Sequence, residues 1–302
     1  MPHVPAVSIV MGAYNSQRYL AEALDSLLAQ TFRDFELIVV DDGSTDHTSA
    51  ILQDYQHRDP RARIERIEHA GIVAAANKGL EMARAPLIAR ADADDIQLPN
   101  RLEKQVQYLQ EHLEVVAVGS RMLSIEPYGS PLRESDHKLT HEEIEAELLA
   151  GSGWALPQPA ATMRKDVALA VGGYRDKYPW SEDLDLFLRM AEAGKLANVP
   201  DVLVKYRFHA NSTNHKRYAI QLANKPPLLR EAYERRGLTP PNQLHFEAPW
   251  DGNLADRYTS WAWAALKDHN IYGARRNAWA AVKKSPFSMT TWRALACALR
   301  GS

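Results

Sequence analysis

Hydrophobic positions change their spacing along the chain, and the change divides it. Near the start, "AVSIVMGA" (6–13) and "FELIVVDD" (35–42) are rich in apolar and β-branched residues. Each predicts a strand buried on both faces. Between them Leu20, Leu24, Leu27 and Leu28 fall on one helical face, with Asn15 or Ser16 placed to cap the helix. The alternation continues. "GSTDHTSAILQDYQ" predicts a helix with Ile51, Leu52 and Tyr55 on one side, and "RIERIE" a short strand. "IVAAANKGLEMARA" predicts a helix ending near Pro86, and "PLIARAD" a strand. Pro99 sits where a helix start tolerates proline, ahead of Leu102, Val106, Leu109 and Leu113 at helical spacing. "VVAVGSRM" predicts one more strand.

From about Pro127 the pattern loosens. "HEEIEAELLA" predicts a helix, "GSGWALPQPA" a loop, and "RKDVALAVGGY" a short helix stopped by Gly172 and Gly173. "LDLFLRMAEAG" predicts a helix and "DVLVKYRF" a strand. After His215 nearly everything predicts helix, broken at "GLTPPNQ", "APWDGN" and "KKSPFS". A boundary is expected near 215.

Strands alternating with helices predict an α/β domain, its mostly parallel central sheet flanked by helices. Ligands of such sheets bind outside the carboxyl ends of the strands. Asp41 and Asp42 end one strand, Asp92 and Asp94 another, and "GAYN" follows the first. All three segments are expected along one edge.

Composition narrows the class. The 302 residues are 45% hydrophobic and 25% charged, enough for a core of normal size. The formal net charge of −2 implies no general attraction to nucleic acid. The single cysteine, Cys297, rules out an internal disulfide framework and suits a reducing compartment. The opening residues lack a signal-peptide pattern, and no run approaches 18 apolar residues. A cytoplasmic protein without a membrane span is expected.

Four acidic or basic constellations carry candidate chemistry. Asp92 and Asp94, two apart on a strand, face the same way. Such a pair shares a proton or holds a hard cation such as Mg2+ or Mn2+. The bland alternative has these aspartates capping the "PNRLEKQ" helix or pairing with Arg90 and Arg101. Asp95 is expected to point the other way and order the turn into that helix. In "VVDDGSTD", one of Asp41 and Asp42 reads a base or ribose, while Ser44 or Asp46 caps a helix. In "WSEDLDLFLRM", Glu182 or Asp183 is a general base, or both simply complement a helix dipole. Trp180 and Tyr178 beside them stack on a sugar or pack. In "YRFHANSTNHKR", His209 is a third metal ligand, a phosphate contact or neither, and Arg207, Lys216 and Arg217 neutralise phosphates or are solvated.

In their order these segments resemble family 2 glycosyltransferases of the GT-A fold, over about residues 5–213. The resemblance rests on "VSIVMGAYN", "LAEALDSLLAQTFRDFELIVVDDGSTD", "GIVAAANKGLEMARAPLIARADADDIQLPNRL" and "GGYRDKYPWSEDLDLFLRM". It implies an inverting enzyme that uses a nucleotide-diphosphate sugar, most commonly a UDP-sugar, in bacterial surface polysaccharide or glycolipid assembly. The acceptor it implies is a saccharide or a lipid-linked hydroxyl. By resemblance Ala13, Tyr14 and Asn15 lie along the nucleobase, and Asp42 or Asp41 accepts from it. Asp92, Ala93 and Asp94 match the DXD motif that holds the ribose and the metal-bound diphosphate, with Mn2+ or Mg2+ as cofactor. Asp183 matches the catalytic base, Glu182 its neighbour, and His209 a histidine near the diphosphate. Ala76 stands where relatives often carry arginine, with Lys78 a stand-in for that charge, and Ala161 near where many carry histidine.

The resemblance divides the chain into a catalytic domain, 1–214, and a helical region, 215–302. Within the former, 1–122 would bind nucleotide and 123–214 acceptor. Trp261, Trp263, Trp279 and Trp292 in the tail pack on the catalytic domain or on a second subunit, giving a homodimer in the latter case. Alternatively "TTWRALACALR" lies on the inner face of a membrane, with Arg293 and Arg300 at the headgroups. Two rivals remain. A sugar nucleotidyltransferase needs a Gly-rich basic loop where "GAYNSQRYL" stands. A non-catalytic nucleotide-sugar-binding relative would tolerate Ala76 and Ala161.

Overall fold

The computed structural model describes residues 3–209, 217–241 and 253–301. The chain alternates β1 (Val7–Ala13), α1 (Leu20–Leu28), β2 (Phe35–Asp42), α2 (Thr48–Arg58), β3 (Ala62–Ile67), α3 (Ile72–Met82) and β4 (Leu87–Asp92). Next come β5 (Ile96–Gln97), α4 (Arg101–Glu111), β6 (Val115–Ile125), β7 (Pro131–Glu134) and α5 (His141–Leu149). Then follow β8 (Thr162–Arg164), α6 (Lys165–Ala170), α7 (Glu182–Ala191) and β9 (Lys195–Arg207). Among the described residues, α8 (Tyr218–Arg235), α9 (Leu254–Lys267), α10 (Ile271–Lys284) and α11 (Met289–Arg300) follow.

The strands run β3-β2-β1-β4-β8-β6-β9-β5, with β7 beside β6. The expected parallel sheet spans β3 to β4, and antiparallel pairings through β8 extend it. Neither β7 nor β8 has a sequence signal. Each is three or four residues long, and β7 is mostly exposed.

Alternate residues of the early strands feed opposite cores. Val10, Ile38, Val40 and Ile88 join one cluster with α3, α5 and α7. Ile9, Met11, Leu37, Val39 and Ala89 join the other with α1, α2 and α4. Strands buried on both faces draw apolar residues at most positions rather than at alternate ones, which explains the near-continuous runs. Gly79 lets α3 lie close on β1, since a Cβ there would sit 2.3 Å from Val10 Cγ1.

The chain separates into two units. The first takes Met1–Met122, Ser135–Tyr206 and Ala219–Phe246; the second takes Leu123–Glu134, Arg207–Tyr218 and Glu247–Ser302. This division differs from a cut at 215, because α8 groups with the sheet and the β7 hairpin groups with the tail. The second unit has a small core of its own, built from Ala262, Ala265, Ala274, Ala278, Val282, Ala294, Leu295 and Ala298. The break expected at "APWDGN" and the candidate Lys216 lie outside the described residues.

One buried acid ties together the strand ends away from the site. Glu36 Oε1 accepts from Ser8 Oγ (2.7 Å) and Arg84 N (2.8 Å), and Oε2 from Arg63 Nη1 (2.8 Å) and Arg84 Nε (2.9 Å). Burial alone would raise its pKa, but these donors outweigh burial and hold it below the ordinary value. A lowered acid stabilises the fold above the unfolded pKa, and that contribution fades as pH falls through the folded value. Glu36→Gln should cost about 3 kcal/mol in urea unfolding at pH 7 and flatten the loss of stability between neutral and acid pH.

Candidate active site

The strand register builds the site. Gly12 of β1 lies beside Val40 of β2 and Asp92 of β4, and Ala13 lies beside Asp41. The three expected segments therefore meet at one sheet edge.

The loops after β1 and β2 are laced together. Asn15, at φ +49°, donates its N–H to Ser44 Oγ (3.0 Å), and its Oδ1 accepts from Thr45 N (2.8 Å). Ser16 N donates to Thr48 Oγ1 (2.8 Å), and Gln17 N to Asp46 Oδ2 (3.3 Å). Asn15 thus joins two loops rather than capping α1. Asp41 is taken up by its own loop: Oδ1 accepts from Ser44 N (2.9 Å) and Oδ2 from Ser49 Oγ.

Asp42 is held from the β3–α3 loop. Oδ1 accepts from Ala70 N (2.7 Å), and Oδ2 from Gly71 N (3.0 Å). His69 Nδ1 lies 2.9 Å from Asp42 Oδ2 and 3.0 Å from Asp42 O. Both neighbours are acceptors, which assigns the proton to Nδ1. The His69 ring stacks on Tyr14, with centroids 4.2 Å apart and planes 20° from parallel. Tyr14 is about half exposed, and Ala13 beneath it is buried. An aromatic face therefore stands beside an anchored carboxylate. No motif signals His69; only the fold brings it to Tyr14.

The carboxylates after β4 are closer than the alternation argument allows. One oxygen from each of Asp92, Asp94 and Asp95 falls within a 4.8 Å group. Asp95 was expected to turn away and order the helix start. Instead it is buried within the group, because the chain turns at Ala93–Asp95 and strand alternation ends there. Asn100 stands at the N-cap position of α4, with no side-chain capping bond.

Two buried arginines lie among these acids. Arg101 bonds to Gln97, Gln105 and the Ala161 carbonyl (3.0 Å). Its pKa is lowered to about 9 by burial, with Asp92 and Asp95 opposing the fall. Arg90 donates to Val10 O (3.2 Å) and lies 5.6 Å from the Tyr174 ring centroid. Asp92 is pushed up to about 6 by burial first and Asp94 next, with Arg90 and Arg101 pulling the other way.

A second acidic pair opens α7. Glu182 is buried, its Oε2 has no hydrogen-bond partner, and burial followed by Asp183 raises its pKa to about 8. Asp183 is partly exposed. Burial raises its pKa too, against its bond from Leu184 N (2.8 Å) and the nearby charges of Lys225 and Arg90. Gly153 lies over Asp183, since a Cβ there would sit 3.7 Å from Oδ2. Asp185, also in the first turn, pairs with Arg175 and Arg189 and is structural.

Tyr178 was expected to offer a face to a sugar. It is buried, and its hydroxyl donates to Glu231 Oε2 (2.7 Å), so it packs under α8 instead. Trp180 is partly buried and holds a left-handed backbone at φ +68°. Lys78 pairs with Glu81 at 3.3 Å along α3, while Ala76 is buried. His209 is buried after β9 and belongs to the second unit.

An oxygen-only set of three carboxylates suits a hard divalent cation. The negative charge of Asp92, Asp94, Asp95 and Asp183 also exceeds what Arg90, Arg101 and Lys225 can offset. The residues therefore fit a metal.

Residues 8–169 match the family model for glycosyl transferase family 2. The O-antigen biosynthesis glycosyltransferase WbnJ of Escherichia coli is 33% identical over 238 residues, covering 77% of this chain and 91% of that protein. Among solved structures, S. aureus TarS in complex with UDP-GlcNAc superposes with a TM-score of 0.60 at 17% identity, covering 98% and 92% of the two chains. The mannosyltransferase PcManGT of Pyrobaculum calidifontis, in complex with GDP-Man and Mn2+, superposes with a TM-score of 0.56 at 19% identity, covering 99% and 81%. The likenesses show a GT-A fold with a helical C-terminal extension.

Gly43 is where the site is least tolerant. It sits at φ +71°, and a Cβ would lie 2.8 Å from His69 N. Gly43→Ala should destabilise the protein by about 1–3 kcal/mol, read by urea unfolding.

Proposed function

The chain belongs to glycosyl transferase family 2, and from that premise we propose an inverting, metal-dependent transfer of a sugar from a nucleotide-diphosphate donor to an acceptor hydroxyl. The observation that carries this reading is the pairing of two acidic groups. Three carboxylates gather after β4, and a partly exposed acid opens α7 close enough to raise Asp92. The nucleotide sugars bound by TarS and PcManGT support this donor class. The O-antigen relative favours a surface saccharide or a lipid-linked precursor as acceptor, made at the cytoplasmic side.

The nucleobase lies along Tyr14, with Ala13 and the Asn15-linked loops as floor and Asp42 beside it. Asp92, Asp94 and Asp95 would hold Mn2+ or Mg2+, with Ala93 at the donor. Bound there, such a cation would supply positive charge to the leaving diphosphate. Asp183 takes the proton from the acceptor hydroxyl. That oxygen bonds to the anomeric carbon from the face opposite the diphosphate, whose bond to the carbon breaks. Glu182, buried and pushed up to about 8, keeps its proton near neutral pH, which leaves the base role to its neighbour. Trp154, 38% exposed and next to Gly153, offers the acceptor the aromatic face that Tyr178 does not.

Asp183→Asn should lower kcat about a thousandfold while nucleotide affinity is kept. A base works deprotonated, so wild-type kcat should climb with pH through an acidic limb above the ordinary aspartate range, because burial raises Asp183. Wild-type rates in Asp183→Asn would sink the assignment. Asp94→Ala should lose at least about tenfold of the Mn2+-dependent affinity for UDP, measured by calorimetry. Equal affinity would remove Asp94 from the metal site.

A further inference from the structure

The second unit carries a surface that the transfer reaction does not use. Its last helix, α11, is apolar on two sides. Ala294, Leu295 and Ala298 face the small core. On the other side, Met289, Trp292, Ala296 and Leu299 are all exposed, at the spacing of a helical stripe. The turn before it holds Phe287 at 99% exposure, and Met289 stands at 88%. Trp292 is fixed in place by its Nε1, which donates to Pro286 O (2.7 Å). An exposed apolar patch of this kind marks a binding surface.

The charge around it is one-sided. Residues 271–300 contain Arg275, Arg276, Lys283, Lys284, Arg293 and Arg300 and no aspartate or glutamate. The whole chain is −2, so the rest of it carries about −8 against this +6. Lys283, Lys284, Arg293 and Arg300 are exposed beside the apolar stripe. Within the same stretch, Arg276 pairs with buried Glu126 and Arg275 bonds to the Ala298 and Leu299 carbonyls, so these two serve the fold.

We propose that this face docks on an anionic lipid bilayer. Phe287, Met289, Trp292 and Leu299 enter the headgroup–acyl boundary, and Lys283, Lys284, Arg293 and Arg300 meet lipid phosphates. Its 12 residues make α11 about 18 Å long, too short to cross a hydrocarbon core of about 30 Å. Among the described residues no helix is long and apolar enough to cross, so the contact is in-plane. A second copy is a poorer occupant. A two-fold interface would bring the same cationic surface against itself.

Full-length protein should co-sediment with phosphatidylglycerol/phosphatidylethanolamine vesicles, weakly or not at all with phosphatidylcholine, and less as salt rises. Phe287→Glu with Met289→Glu should weaken the partition at least about tenfold, as should Lys283→Glu with Arg293→Glu. All four side chains are exposed, so circular dichroism and thermal unfolding should not change. The readout needs no enzyme activity, so its failure is separable from that of the transfer reading. Equal binding to both vesicle types, no binding to either, or wild-type binding by the variants would overturn the proposal. So would a wild-type dimer that Phe287→Glu dissociates in the absence of vesicle binding, which assigns the face to a second copy.

Discussion

Five carboxylates are gathered around the C-terminal edge of the sheet, and two arginines buried among them make the crowding tolerable. Arg90 and Arg101 are among the largest fully buried side chains in the molecule. Neither could remain there without acids nearby, because burial of an unpaired guanidinium is strongly unfavourable. The acids in turn depend on them: Arg90 lowers Asp92, Glu182 and Asp183 together. Arg101 is further fixed through Gln97, Gln105 and the Ala161 carbonyl, so β5, α4 and the segment before β8 are all tied to the charge balance. The balance remains negative, which suits a hard cation.

The other half of the site is held differently. Around Tyr14 the organising force is hydrogen bonding between loops rather than charge. Asn15, Ser44, Thr45 and Thr48 join the loops after β1 and β2. The backbone amides of Ala70 and Gly71 fix Asp42 from a third. Gly43 is the point of closest approach between two of these loops. Such a cradle is pre-organised, which lowers the ordering cost of any base laid on it.

How much of this was legible in the sequence depended on the range of each interaction. Strands buried on both faces announce themselves as apolar runs, so β1, β2, β4 and the helices between them were readable. So was the meeting of Asp42 and Asp92 at one edge, since strand order and ligand position follow general rules. Asp95 was misplaced because a two-residue period holds only while the strand continues, and the chain turns at Ala93. Tyr178 was misplaced because its partner, Glu231, lies 53 residues away in α8. His69, Gly153 and Lys225 carry no local signature. They matter only through the side chains that folding sets beside them. The residues of β7 and β8 form strands because a neighbouring strand offers them a partner, not from any pattern of their own.

The split between Glu182 and Asp183 follows from the same accounting of charge. Two adjacent acids in one low-dielectric region cannot both ionise cheaply. The helix start could hold either as an anion, since its dipole favours negative charge in the first turn. Exposure separates them. Glu182 points inward and has an oxygen with no donor, so its neutral form is favoured. Asp183 keeps contact with solvent, accepts from Leu184 N and feels Lys225 from α8. Each of these favours its charged form. The sequence pair is symmetrical in chemistry, and the environment makes it unsymmetrical. A neutral neighbour also removes a repulsion that would otherwise oppose an anion at Asp183, so the buried acid supports the exposed one by staying protonated.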